Sequence, residues 1–167
     1  MNTLTQPLRE EHDRYRVALK DIQETADAVE DLSLPELRTR LDRVDAFLTA
    51  RFLPRARAEE AAVFPLIRRV IGARESTSGM AREDLEVERL AGKLAVLRER
   101  LVYSYFGRNE RRLLRRTLYE LYSTIRLHLA EEDDVFLPIL DQHLSAAEAI
   151  EMVEGLEEAE RQGAAVP

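Results

Sequence analysis

Apolar residues recur along this chain in alternating steps of three and four, the spacing that keeps one face of an α-helix apolar. One stripe runs Leu8, His12, Tyr15, Leu19, Ile22, Ala26, Val29, and a second runs Leu37, Leu41, Val44, Leu48, Phe52, Arg55, Glu59, Ala62, Leu66. A third runs Met80, Asp84, Val87, Ala91, Leu94, Leu97, Leu101, and a fourth Leu114, Leu118, Leu121, Ile125, His128, Glu132, Val135. No sustained period-two alternation and no Asn-Gly or Asp-Gly turn signals a hairpin. The spacing predicts four long helices at about 7–31, 35–71, 79–106 and 109–141, then a shorter fifth near 145–161.

The breaks between them carry their own chemistry. Ser33 and Glu36 form a capping box with Pro35 in the first turn, and Ser145 with Glu148 makes a second. Gly72 to Gly79 is a Gly/Ser/Thr-rich loop, Gly107 reads as the stop of the third helix, and Asn109 as the cap of the fourth. Pro54, Pro65 and Pro138 are expected to kink the helices that contain them. Short connections make sequence neighbours antiparallel, so the expected fold is all-α. It is an up-down-up-down four-helix bundle over a single domain, 1–167, with the fifth helix laid across it as a cover. That helix shows Ala146, Ile150, Val153 and Leu156 on one side.

Each long stripe is apolar except at one place: His12; Arg55 and Glu59; Asp84; His128 and Glu132. These positions lie near the starts of the first and third helices and near the ends of the second and fourth. From each to the far end of its helix is about 20–24 residues, or roughly 30–36 Å, so in an up-down bundle they converge on one interior layer. Buried charges demand partners or ions. The segments Glu59–Pro65 and Glu132–Pro138 both carry a Glu followed six residues later by Pro, which aligns Arg55 with His128 and His12 with Asp84. Two similar halves facing each other across His and carboxylate have the make-up of a dinuclear metal site, and this donor set suits iron, manganese or zinc. The plainer alternative makes His12 and His128 hydrogen-bonded core histidines and pairs Glu59 and Glu132 with Arg55. Tyr15 reads as core, and Glu60, Glu131, Asp133, Asp134 and His143 read as surface.

Composition narrows the partners. The chain of 167 residues has 25 basic against 32 acidic side chains, a net charge of −7, which disfavours nucleic acid and anionic membrane. It has no cysteine, which excludes thiolate metal sites and thiol catalysis. The apolar run Ala61–Ile67 is too short to span a bilayer, and MNTLTQPLREEHDRY lacks the pattern of a signal peptide, so the expected setting is cytoplasmic.

The segments LREEHDRY, LPRARAEEAAVFP, MAREDLEVERL and HLAEEDDVFLPIL resemble the hemerythrin-like, or HHE cation-binding, family over nearly the whole chain. That family carries a His in its first helix, His-x-x-x-Glu in its second, a His at the start of its third and a second His-x-x-x-Glu in its fourth. The resemblance implies a non-haem diiron centre serving dioxygen binding, oxygen or redox sensing, peroxide or nitric oxide chemistry, or iron handling. Carried over by position, it implies metal ligation by His12, Glu59, His128 and Glu132. Arg55 and Asp84 stand where the family has histidine. Asp84 can still hold a hard cation, whereas the guanidinium of Arg55 has no lone pair to offer. The chain's three histidines are too few for an unmodified centre.

Three functions are expected. The first is a remodelled site binding iron on His12, Glu59, Asp84, His128 and Glu132 as one ion or an asymmetric pair, with dioxygen or a small oxidant as its other partner; the half with His128 and Asp84 reads as the better equipped. The second is a metal-free bundle whose layer neutralises itself, with Arg55 and two protonated histidines against Glu59, Asp84 and Glu132, acting in protein interaction. The third is an enzyme that processes peroxide or oxygen.

Overall fold

A computed structural model of the chain describes residues 3–103 and 105–164, and among them there is no strand. Helix α1 (Gln6–Ala28) is followed by α2 (Leu34–Phe47), a π-helical turn at Leu48–Phe52, α3 (Leu53–Ala62) and α4 (Phe64–Ile71). A 3₁₀ turn at Arg74–Thr77 leads into α5 (Ser78–Tyr103). Then come α6 (Arg108–Glu131), a second π-helical turn at Glu132–Phe136, α7 (Leu137–His143) and α8 (Ala146–Ala164). Helix α1 packs on α2 and α6, and α5 packs on α2 and α6, closing the expected four-helix ring. None of the described helices is long and apolar enough to cross a membrane.

The caps form where the residues call for them. Ser33 N–H donates to Glu36 Oε2 at 2.9 Å, and Ser145 N–H to Glu148 Oε2 at 2.9 Å. The second box is reinforced by Arg69, 2.7 Å from Glu148 Oε1, and the combination holds the Glu148 carboxyl down to about 2. Gly72 ends α4 in the left-handed conformation at φ 76°, which a side chain would resist. Gly107 does not terminate the third long helix as expected. Its N–H donates to Glu110 Oε2 at 3.0 Å, so it caps the start of α6 and leaves Asn109 inside the first turn.

The second and fourth long helices are interrupted. Leu53 N–H donates to Leu48 O and Leu137 N–H to Glu132 O, each five residues back, and each turn is followed by a proline, Pro54 or Pro138, that has no N–H to offer the ladder. A π turn takes in one extra residue, which rotates the rest of the helix by about 100° against an uninterrupted α-helix. The fourth stripe therefore ends on buried Phe136, while the expected Val135 is 46 % exposed. In the second, the helix breaks at Val63 (φ −97°), and the core residues become Val63, Phe64 and Ile67 instead of Ala62 and Leu66. The two Glu–Pro segments are thus not equivalent: one runs into a break and the other opens a π turn. On α8 the inward side is Ala149, Met152 and Leu156, and Ile150 is 59 % exposed.

Two apolar clusters result. The larger fills the bundle from Tyr15 and Phe52 away to Val29, Leu37, Leu101 and Leu114. The smaller gathers Leu8, Val63, Phe64, Ile67, Met80, Phe136, Leu140, Met152 and Leu156 beneath α4, α7 and α8. In the sequence of every long helix the polar positions fall between residues of the two clusters. Helix α8 does act as a cover, packing chiefly on α3, with Gly155 facing Ala62.

Candidate metal centre

His12 on α1, Glu59 on α3 and Glu132 at the start of the second π turn are all buried, and one donor atom from each lies within 4.8 Å of the others. His12 Nε2 stands 3.0 Å from Glu132 Oε2, and His128 Nε2, from the last turn of α6, stands 3.8 Å from Glu132 Oε1. Glu132 thus lies between the two imidazoles, one oxygen toward each. Glu59 approaches from the α3 side, with a carboxylate oxygen within 4.8 Å of the donor atoms of His12 and Glu132.

The other nitrogen of each ring meets carboxylates. His12 Nδ1 is 2.8 Å from Asp133 Oδ1, and Asp133 is itself held by Arg16 and, at 3.8 Å, by Arg9. His128 Nδ1 is 3.4 Å from both Glu83 Oε2 and Asp84 Oδ1, and the ring lies edge-on to Phe52 with centroids 5.7 Å apart. With carboxylates at the Nδ1 side of each ring, Nε2 is the nitrogen that faces Glu132. Both histidines therefore present Nε2 inward.

Arg55 occupies the fourth wall. Its Nε donates to Glu59 Oε1 at 2.7 Å, and Nη1 reaches Glu160 Oε1 at 2.8 Å and Glu11 Oε2 at 3.0 Å. One guanidinium ties α3 to α1 and to the covering helix α8.

Ionisation is set by this crowding. Burial alone would discharge the histidines, but the surrounding carboxylates outweigh it: His12 is raised by Glu132 and Asp133, and His128 is raised to about 10 by Glu132, Glu83 and Asp84. Burial and the charge of Glu132 push Glu59 up despite Arg55, whereas His128 and His12 hold Glu132 down against its burial. Asp84 rises to about 6, chiefly through burial and partly through its acidic neighbours, which outweigh His128. The two central carboxyls are thus pushed in opposite directions, Glu59 up and Glu132 down.

The donor set fits a metal ion on one further observation. Glu132 Oε2 is fully buried and makes no hydrogen bond, although His12 Nε2 is only 3.0 Å away. Donor atoms on adjacent corners of a coordination sphere with bonds of about 2.1 Å stand roughly 3 Å apart, with lone pairs aimed at a common centre and not at each other.

Of the residues singled out from the sequence, His12, Glu59 and Glu132 come together as one cluster, and His128 adjoins it through Glu132. Asp84 is placed at the outer nitrogen of His128. The three donor atoms that lie within 4.8 Å of one another come from His12, Glu59 and Glu132, while Asp84 faces Nδ1 of His128 and not Nε2. Asp133, read as surface, is turned inward with its side chain only 14 % exposed. Glu11, Glu83 and Glu160 are further participants that sequence reasoning missed. One signal was available for Asp133: Arg9 and Arg16 flank His12 at −3 and +4, on the same helical face, and call for an anion there.

A buried His/carboxylate cluster inside a four-helix ring is the arrangement of a metal-binding bundle. The family model of the hemerythrin HHE cation-binding domain matches residues 3–140, and the chain belongs to that family. Helix α8 lies beyond the matched residues. Comparisons with curated proteins and with solved structures find no significant match.

Proposed function

We propose that this domain binds a single non-haem metal ion, with iron as the first candidate, on His12, Glu59 and Glu132, with His128 as a further donor beside Glu132. Its role on this reading is iron handling or oxygen and redox sensing. The observation that carries it is the buried oxygen of Glu132 without a hydrogen bond, 3.0 Å from the Nε2 of a histidine whose other nitrogen is already engaged. Asp133 orients His12, the outer support that a metal-bound imidazole needs, and Asp84 and Glu83 stand 3.4 Å from Nδ1 of His128. Arg55 favours one ion over two, since it holds Glu59 from a position where the family has a ligand. When bound, iron supplies a Lewis-acidic and redox-active centre.

A specific observation favours a second reading. The Arg55–Glu59 pair at 2.7 Å and the His12–Glu132 pair at 3.0 Å neutralise much of the layer without any ion, as a metal-free interaction module would require. Elemental analysis after anaerobic reconstitution with ferrous ion separates the two. The expected result is about one iron per chain, falling by roughly tenfold or more in a Glu59→Gln/Glu132→Gln variant that still folds. Retention of no iron by the native chain, or equal retention by the variant, would overturn the metal reading.

A further inference from the structure

A cavity of 310 Å³ opens between α1 and α6, beside the metal centre and separate from it. Its rim carries Arg16, Lys20 and Arg126, its floor is Leu19 and Leu129, and Tyr122 stands at its side. No carboxylate lines it among the described residues, in a chain with 32 acidic against 25 basic side chains. Lys20 reaches only the exposed Glu24, at 3.7 Å, and Arg126 has no ion-pair partner among the described residues. Arg126 without an ion-pair partner among those residues, with Arg16 and Lys20 beside the buried Leu19 and Leu129, gives a pocket of cationic and apolar lining, which suits an anion bearing an apolar body.

Arg16 connects this cavity to the centre. Its Nη1 holds Asp13 at 2.6 Å and its Nη2 holds Asp133, which in turn accepts from His12 Nδ1 at 2.8 Å. An anion engaging Arg16 competes with Asp133 for the guanidinium and so alters the carboxylate that orients His12.

We propose that the α1/α6 cavity binds a small organic anion, with a phosphate or carboxylate head and a compact apolar body, and that its occupancy reaches His12 through Arg16 and Asp133. The first half stands on the cavity alone, and any effect on bound metal rests on the function proposed above. The size of the cavity and its concave shape favour a small molecule over a macromolecular surface.

Calorimetric titration of the full-length, metal-free chain at constant ionic strength, with phenyl phosphate and with benzoate as probes, tests the site without reference to metal. The expected result is saturable 1:1 binding of at least one probe, weakened at least about tenfold in Lys20→Gln/Arg126→Gln, a variant with unchanged melting behaviour. Preference for phenyl phosphate identifies a phosphate head, and preference for benzoate a carboxylate. Absence of saturable binding by either probe, or equal binding by the variant, would overturn the site. For the connection, the ¹⁵N resonances of the His12 ring should move when the probe binds and stay still in Arg16→Gln at saturating probe. Resonances that do not respond in the native chain, or respond equally in the variant, would overturn the relay while leaving the site standing. Failure of the chain to take up iron would overturn the proposed function and neither of these results.

Discussion

His12 shows how much of the proposed metal site lies outside the residues that would hold the ion. Its Nε2 faces Glu132, but the orientation of the ring is set at Nδ1 by Asp133, and Asp133 is set by Arg16 and Arg9. Asp133→Asn keeps the shape of the acceptor and removes its charge, so the ring is less firmly held and less basic. Iron affinity is expected to fall by about 10–100-fold in a competition titration with a chromophoric chelator, with the metal-free fold retained. An unchanged affinity would remove Asp133 from the site. Arg55 illustrates the opposite case, a residue whose role is visible only through its partners. In the sequence it is a cation on a core stripe. In the structure its Nε and Nη1 hold Glu59, Glu11 and Glu160, the last more than one hundred residues away. His12, Glu59 and Glu132 were legible because a polar residue on an apolar stripe stands out against its neighbours. Asp133 sits among other acids, and no local contrast marks it.

Helices α1 and α5 keep their periodicity throughout, and every apolar position read from their stripes is buried. The second and fourth long helices depart from theirs near the prolines. The π turn at Glu132–Phe136 matters most, because it begins on a residue of the buried cluster and changes which residue after Glu132 enters the core. Phe136→Ala is expected to cost about 3–5 kcal/mol in urea denaturation, while Val135→Ser stays within about 0.5 kcal/mol. An uninterrupted α-helix would reverse that order, so the pair of variants reads the register directly. Counting in steps of three and four cannot anticipate an extra residue, since the count assumes the ladder that the π turn breaks. The prolines mark where the ladder fails, and only the backbone shows how it is re-formed.

For the molecule as a whole, the charged layer lies between two apolar clusters, and the smaller cluster depends on α8 for Met152 and Leu156. On the function proposed above, a cation held by these buried groups makes stability responsive to metal. Iron at about one hundred times its dissociation constant should stabilise the fold by about 2.7 kcal/mol, raising the melting temperature by roughly 5–10 °C for a chain of this size. Calorimetry of the native chain and of Glu59→Gln/Glu132→Gln, with and without ferrous ion, should show that rise only in the former. A rise of equal size in both would place the binding elsewhere.

By itself the sequence determined the class of fold, the two Ser/Glu capping boxes and the polar positions that interrupt the apolar stripes. All of these come from local rules: helical periodicity, the reach of a side chain over one turn, and the mismatch of a charge on an apolar stripe. Only the tertiary structure decided which nitrogen of each histidine faces inward, that Asp84 meets the outer one, that Asp133 and Glu160 complete the surroundings, and that Phe136 replaces Val135 in the core. Those outcomes depend on distances of a few ångströms between segments far apart in the chain and on one residue of helical register. Spacing along a single helix carries neither.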